Sequence, residues 1–205
     1  MTVPDLTPAA PALWLASQSA SRRAMLDNAG LAYTARPAAV DERALEAAMA
    51  DAAPADVALA LAEAKAQALS GLPAGDLVLG SDSLVVCDGR RFDKPASRAD
   101  AASHLAFFSG KALALHSAAA LVRDGAVIWR HADVARLTVR PLSPAFIEAY
   151  LDVEWPAVAG CVGVFRMEGP GIQLFAQVDG HHFTILGMPL LPVLGALRQF
   201  GVLLA

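Results

Sequence analysis

Apolar residues along this chain fall in short runs bounded by polar turns, and their spacing alternates between strand-like and helix-like periods. Residues 12–16 (ALWLA) are an apolar run of strand length. Ser17-Gln18-Ser19 then turns the chain into a helix over 20–29, which Gly30 stops. Two further helical stretches are expected at 42–50 and 56–69. Residues 76–80 (DLVLG) and 84–87 read as two buried strands, with Asp88-Gly89 as a hairpin turn. A helix over 99–107 ends at Ser109-Gly110. Long strands at 112–122 and 126–139 are joined by Asp124-Gly125, and the second sets Val127, Trp129, Val134 and Leu137 among polar residues, as a half-exposed strand does. Ser143 caps a helix running through 151. Glycines crowd 160–171, and the chain closes with a strand at 183–186 and a helix at 190–200. Strands alternating with helices in this way give an α/β domain.

Composition narrows the picture. A chain of 205 residues, 56% hydrophobic and 18% charged, suits one large domain or two lobes sharing a cleft, with ample core. The net charge of −4 argues against a long nucleic acid as partner, although a local group of Arg and Lys can still hold a small anion. Cys87 and Cys161 form neither a CxxC pair nor zinc spacing, so two buried thiols in a reducing cytoplasm are expected. Residues 1–11 read as a flexible tail without the basic start of a targeting segment. The uncharged run 181–197 carries two histidines, Pro189 and Pro192, and reads as strand, turn and helix rather than a membrane span.

Five places carry residue types suited to chemistry. In LASQSASRR (15–23) a strand ends, Ser17 and Ser19 occupy the turn, and Arg22 and Arg23 stand in the first turns of a helix; unpaired N–H groups, hydroxyls and guanidiniums there can grip phosphate oxygens. Asp41-Glu42, at the start of a helix, can bind Mg²⁺ through one carboxylate. Lys65 lies in a helix otherwise lined with Ala and Leu. Asp82, in LVLGSDS (77–83), is placed at or just past the C-terminal end of an apolar strand, where sites gather in open α/β sheets, and can ligate metal or deprotonate water. Asp93-Lys94-Pro95 follows the hairpin, and Pro95 biases Lys94 to an extended backbone. Each has a blander competitor: a capped surface helix with solvated arginines, a charge favouring a helix dipole, solvated lysines, an Asx-turn.

Taken in order, these residues resemble the Maf family of nucleoside triphosphate pyrophosphatases. The family's opening LASxSPRRxxLL corresponds to LASQSASRRAMLDNAG, its DE pair to Asp41-Glu42, and its AxxKA to Ala62 and Ala64-Lys65-Ala66. Gly80-Ser81-Asp82-Ser83 corresponds to G(A/S)D(T/Q/S), Asp93-Lys94-Pro95 to GKP, and Ser109-Gly110 to an SG ahead of a long strand. Ala159-Gly160, Glu168-Gly169-Pro170-Gly171-Ile172 and Leu186-Gly187-Met188-Pro189-Leu190 complete the series to residue 201. The chain departs from the pattern at Ala20 (proline expected), Asp93 (glycine) and Phe183 (asparagine), and by an insertion between Gly160 and Glu168.

The resemblance implies a single Maf/ITPase-like domain over 12–205, with a mixed central sheet in two lobes and a cleft between them. It implies hydrolysis of a nucleoside triphosphate to monophosphate and pyrophosphate, with Asp82 as general base and Glu42 and Asp82 holding Mg²⁺ or Mn²⁺. Ser17, Ser19, Arg22, Arg23, Lys65 and Lys94 would bind the substrate. The extra residue before Arg22-Arg23, the Gly-Ser-Asp block and Glu168-Gly169 are closer to the 7-methyl-GTP branch than to the dTTP/UTP branch, with Ser21, Ser83 and Glu168 as specificity positions. House-cleaning of non-standard nucleotides and a homodimer follow from the same resemblance, and the cysteine usage adds the expectation of a cytoplasmic location. A nucleotide-binding regulator without hydrolysis and a dTTP/UTP-type enzyme are the alternatives. A serine hydrolase lacks its GxSxG elbow here.

Overall fold

A computed structural model describes residues 11–204, so the tail expected at 1–11 lies, but for Pro11, outside the described residues. Within them the chain runs β1 (Leu13–Leu15), α1 (Ala20–Asn28), β2 (Thr34–Ala35), α2 (Glu42–Ala48), α3 (Pro54–Gln67), β3 (Leu77–Cys87), β4 (Arg90–Phe92), α4 (Arg98–Phe108), β5 (Ala112–Arg123) and β6 (Ala126–Val139). It continues through α5 (Pro144–Glu154), β7 (Phe175–Asp179), α6 (His182–Ile185) and α7 (Leu190–Gln199). The strands make one sheet in the order β2-β1-β3-β5-β6-β7, with β4 beside β3. Parallel and antiparallel pairs are both present, so the sheet is mixed and the α/β class holds. Two compact units divide the chain: one takes the described residues up to Ser83, Ser117–Asp133 and those from Gly187 onward, and the other takes Leu84–His116 and Val134–Leu186.

In the first unit, β1 is the parallel neighbour of both β2 and β3, with Leu13 opposite Leu77 and Leu15 opposite Leu79. These leucines are almost wholly buried, as is usual for parallel strands. Helix α3 buries Val57, Ala58, Leu61, Ala62 and Ala66. Gly80 permits its close approach: a Cβ there would lie 2.7 Å from the Ala66 amide nitrogen and 2.9 Å from the Ala66 Cβ. In the second unit the core gathers around Phe92 and Phe108, edge to face at 4.7 Å, with Leu105, Leu113, Leu137 and Leu151. Arg98 ties α4 to α5 by reaching Glu148 at 2.7 Å and Asp152 at 2.6 Å.

Both expected hairpin turns form, with positive φ at Asp88 and Gly89 and again at Asp124 and Gly125, the backbone that a type I′ turn requires. Helix α1 ends as expected: Gly30 takes φ +71° and the Leu31 amide reaches back to the Leu26 carbonyl at 3.1 Å. Three expectations need correction. The strands at 76–80 and 84–87 are one strand, β3, so Asp82 lies within a strand rather than at or past its end. The polar GSD segment stays extended because β1 pairs with β3 only as far as Leu79, while β3 runs on beside β5 and then pairs with β4 from Val85. Residues 183–186 are not a strand; helix α6 covers most of them, begun by the His181 ring nitrogen accepting from the Phe183 amide and closed by Gly187 at φ +98°. A four-residue segment, Phe-Thr-Ile-Leu, is too short for a period to decide between the two. Strand β7, exposed along most of its length, carries little apolar signal and was not expected. Cys87 is buried but Cys161 only half-buried, and both are free. Among the described residues, no helix is long and apolar enough to cross a membrane.

Candidate active site

The site grows from the period-2 alternation of β3. Gly80 faces α3, so Asp82, two residues on, faces the same helix, while Ser81 and Ser83 face the other way. On α3, Ala62 and Ala66 meet Gly80, and Lys65 shares their stripe. The consequence is a short ion pair: Lys65 Nζ is 2.5 Å from Asp82 Oδ1. The same ammonium is 2.9 Å from Oε2 of Glu42, in the first turn of α2. The Lys65 and Asp82 side chains are only 12% and 9% exposed, against 48% for Glu42, so the first contact is the better shielded one. Asp41 takes no part; its carboxylate caps α2 by accepting from the Ala44 amide at 3.0 Å.

The turn after β1 supplies the cationic side. Ser19 caps α1, accepting from the Arg22 amide at 3.4 Å. Ser17, buried at 8% exposure, accepts from the Ser19 amide at 3.1 Å and from Arg22 Nη1 at 3.4 Å. Arg22 also donates from Nε to the Gly187 carbonyl at 3.0 Å, which folds its side chain back over the N-terminus of its own helix. Burial lowers the pKa of this guanidinium, and the negative charges of Asp82 and Glu42 oppose that shift. Ser17, Ser19, Arg22, Lys65, Asp82 and Glu42 therefore form one constellation within the first unit. It joins a helix N-terminus, two cations, two hydroxyls and two carboxylates, which suits an anion that arrives with a divalent cation.

The other expected residues are distributed differently. Arg23 is exposed on α1, and its carbonyl accepts from the Tyr33 hydroxyl at 3.4 Å. Ser21 is half-buried in the first turn of α1. Ser83 sits on the far side of β3 from Asp82, with its Oγ 2.9 Å from that of Ser117. Lys94 and Glu168 are exposed and belong to the second unit. There both act on the half-buried Cys161 thiol, whose pKa is raised by burial first and by Glu168 next, with Arg166 and Lys94 pulling it down. Arg166 is itself held by Glu154, 2% exposed at the end of α5, through two contacts of 2.9 Å. Among the described residues, no three of His, Cys, Asp and Glu gather to hold a metal ion; Asp82 and Glu42 converge as a pair on Lys65. The roles of Ser81, Ser117 and Gly187 were not foreseen; alternation along GSDS carried a signal for Ser81, and Gly187 stood only as part of the block at 186–190.

A family model described as Maf-like protein matches residues 12–200. The chain is 49% identical over 195 residues to a 7-methyl-GTP pyrophosphatase of Rhizobium meliloti (strain 1021), a match covering 94% of this chain and 98% of the relative. It is 47% identical over 187 residues, 91% of this chain and 93% of the relative, to a nucleoside triphosphate pyrophosphatase of Nitrobacter winogradskyi. A third relative, from Mesorhizobium japonicum, is 49% identical over 191 residues, 92% of this chain and 96% of its own length, and is again a 7-methyl-GTP pyrophosphatase. A match over nearly all the described residues, with close relatives aligned almost end to end, makes this chain a member of the Maf-like protein family.

Proposed function

We propose that this protein hydrolyses a nucleoside triphosphate to the monophosphate and pyrophosphate. The observation that carries the reading is the Lys65–Asp82 pair: a shielded carboxylate and ammonium, next to Glu42, in the unit whose helix N-terminus presents Arg22, Ser17 and Ser19. The relatives' names supply the substrate class.

The N-terminal amides of α1, the Ser17 and Ser19 hydroxyls, Arg22 and Lys65 bind phosphate oxygens, and Arg23 and Lys94 are cations assigned to offset the negative charge of the substrate. Asp82 takes the proton from a water that attacks the α-phosphorus. A new P–O bond forms to that water, the α,β-bridging P–O bond breaks, and pyrophosphate leaves with the electron pair. Cations on the departing group stabilise its growing charge. Two carboxylates that converge on one ammonium are hard oxygen donors of the kind that takes Mg²⁺ or Mn²⁺, and Glu42 and Asp82 would hold such an ion. When bound, it would polarise phosphoryl oxygens as a Lewis acid. Substrate phosphates then replace carboxylates as the partners of Lys65.

For the finer reading we favour 7-methyl-GTP, with Ser21, Ser83 and Glu168 as the specificity residues, acting in house-cleaning of modified nucleotides. The two free thiols fit a cytoplasmic location, and a homodimer is expected from the family. The test is a panel of canonical and modified triphosphates with Mg²⁺, with Mn²⁺ and with chelator, scored for pyrophosphate. Release from at least one triphosphate, abolished by chelator, is the expected result; no release from any of them overturns the reading. Equal rates on UTP and 7-methyl-GTP would overturn the finer one alone.

A further inference from the structure

The side of β3 opposite Asp82 holds a second, fully buried hydrogen-bonded group. Ser81 is 0% exposed, and its Oγ lies 2.8 Å from the Ala118 carbonyl and 3.1 Å from the Gly187 carbonyl, so its one proton is shared between two acceptors. The Gly187 carbonyl also accepts Arg22 Nε–H at 3.0 Å. Gly187 takes φ +98°, a conformation that residues with a Cβ adopt rarely. A Cβ at this position would stand 3.8 Å from Arg22 Nη2 and 3.6 Å from the Ser83 Cβ, which is ordinary contact. What the glycine provides is therefore the direction of its carbonyl and not the space around it.

We infer that Ser81 and Gly187 are positioning residues for Arg22: the Ser81 hydroxyl steadies the Gly187 carbonyl, and that carbonyl holds the guanidinium by its Nε edge. Arginine is long and flexible, and fixing it costs rotamer freedom each time a ligand binds. Here two groups that touch no ligand meet that cost before binding. With Nε engaged and Nη1 partly engaged by Ser17, the Nη2 donors and the remaining Nη1 proton are the ones aimed at a phosphate oxygen. The inference rests on the proposed function for the identity of that ligand and on the hydrogen bonds alone for the relay.

The experiment is a double-mutant cycle between Ser81→Ala and Arg22→Lys. Kd is measured for GTP carrying an α,β-methylene bridge, and KM and kcat for the best substrate of the panel. Ser81→Ala should weaken binding and raise KM by about five- to ten-fold, the value of one hydrogen bond, with kcat within about two-fold. Lysine has no Nε–H edge for the carbonyl to hold, so in the Arg22→Lys background Ser81→Ala should change nothing further. Gly187→Ala should show the same silence in that background, and it carries the test if Ser81→Ala fails to fold. Effects that multiply independently overturn the inference, because a merely structural role would weaken both backgrounds alike. If the wild type binds the analogue yet releases no pyrophosphate from any triphosphate, the proposed function falls while the cycle in Kd still decides the relay.

Discussion

Lys65 Nζ lies 2.5 Å from Asp82 Oδ1, with neither side chain more than 12% exposed. The pair joins a helix to a strand through the packing of Gly80 against Ala62 and Ala66, so the same alternation that builds the core also sets the chemistry. The contact runs through Oδ1 of the carboxylate.

Asp82→Asn keeps the shape of the side chain and removes its basicity. If Asp82 is the general base, kcat should fall by about 10²–10⁴-fold, while the thermal transition falls less than in a Lys65 variant, because Glu42 still partners the ammonium. Steady-state pyrophosphate release and a calorimetric scan of the same preparation check both halves. Near-normal turnover would remove Asp82 from the mechanism.

Lys65→Met has a different signature. It strands a carboxylate that is 9% exposed, and breaking a buried pair from one side costs about 3–5 kcal/mol. Glu42, half exposed, can turn to water and should add little to the loss. Lys65→Met with Asp82→Asn should recover much of the lost stability, since no charge remains unpaired. Urea denaturation of the three proteins reads this directly; a double variant as unstable as Lys65→Met alone would show that the loss is packing.

The sequence carried the fold class, both hairpin turns and most helices, because those depend on local signals: Ser19 and Ser143 at helix starts, Gly30 after a helix end, and Asp-Gly pairs between strands. It carried Asp82, Lys65, Glu42 and Arg22 as types without showing which would touch. Their meeting depends on the register of β3 against α3, a long-range packing fact fixed at Gly80. Of the Asp41-Glu42 pair, of which one carboxylate was expected at a metal, Glu42 reaches Lys65 while Asp41 caps α2 through the Ala44 amide. Helix α6 and strand β7 were hidden by brevity and exposure, which erase the periods that distinguish helix from strand.

Gly80→Ala tests the packing that brings the pair together. The new methyl would meet the Ala66 amide at 2.7 Å and the Ala66 Cβ at 2.9 Å, and neither backbone nor a Cβ can swing aside. Overpacking of this kind costs about 1–3 kcal/mol. Pushing α3 from β3 also lengthens the Lys65–Asp82 contact, so activity should fall along with stability. A Gly80→Ala protein with an unchanged transition midpoint and full activity would contradict the close approach.

The Glu154–Arg166 pair is lopsided. Glu154 is 2% exposed at the C-terminal end of α5, where the helix dipole disfavours a negative charge, whereas the Arg166 side chain is 38% exposed. Removing the arginine leaves a buried, unpaired carboxylate; removing the glutamate leaves a cation that water can reach. Arg166→Met should therefore destabilise by about 3–5 kcal/mol, and Glu154→Leu by less. Equal losses in denaturant titrations would mean that the glutamate is hydrated after all.

The two tyrosines set a limit at high pH. Burial is the main cause raising the Tyr33 pKa from 10.0 to about 12, with the hydrogen bond to Asp27 at 2.9 Å and the charge of that carboxylate adding to it. Burial raises Tyr150 too; it is 4% exposed and donates to the Val164 carbonyl at 2.9 Å. In each case the folded state holds its phenol proton more tightly than the unfolded state does. The stability this represents is fully present below pH 10.0, the unfolded value, and is lost as pH rises toward about 12 and beyond. Native protein followed by tyrosinate absorbance should show almost no ionisation near pH 10.0, whereas urea-unfolded protein should be about half ionised there. The Tyr33→Phe variant should lose the earlier native step and keep the later one, which belongs to Tyr150. A native titration centred on 10.0 for both rings would show that these hydroxyls are solvated and that the contacts with Asp27 and Val164 do not persist in solution.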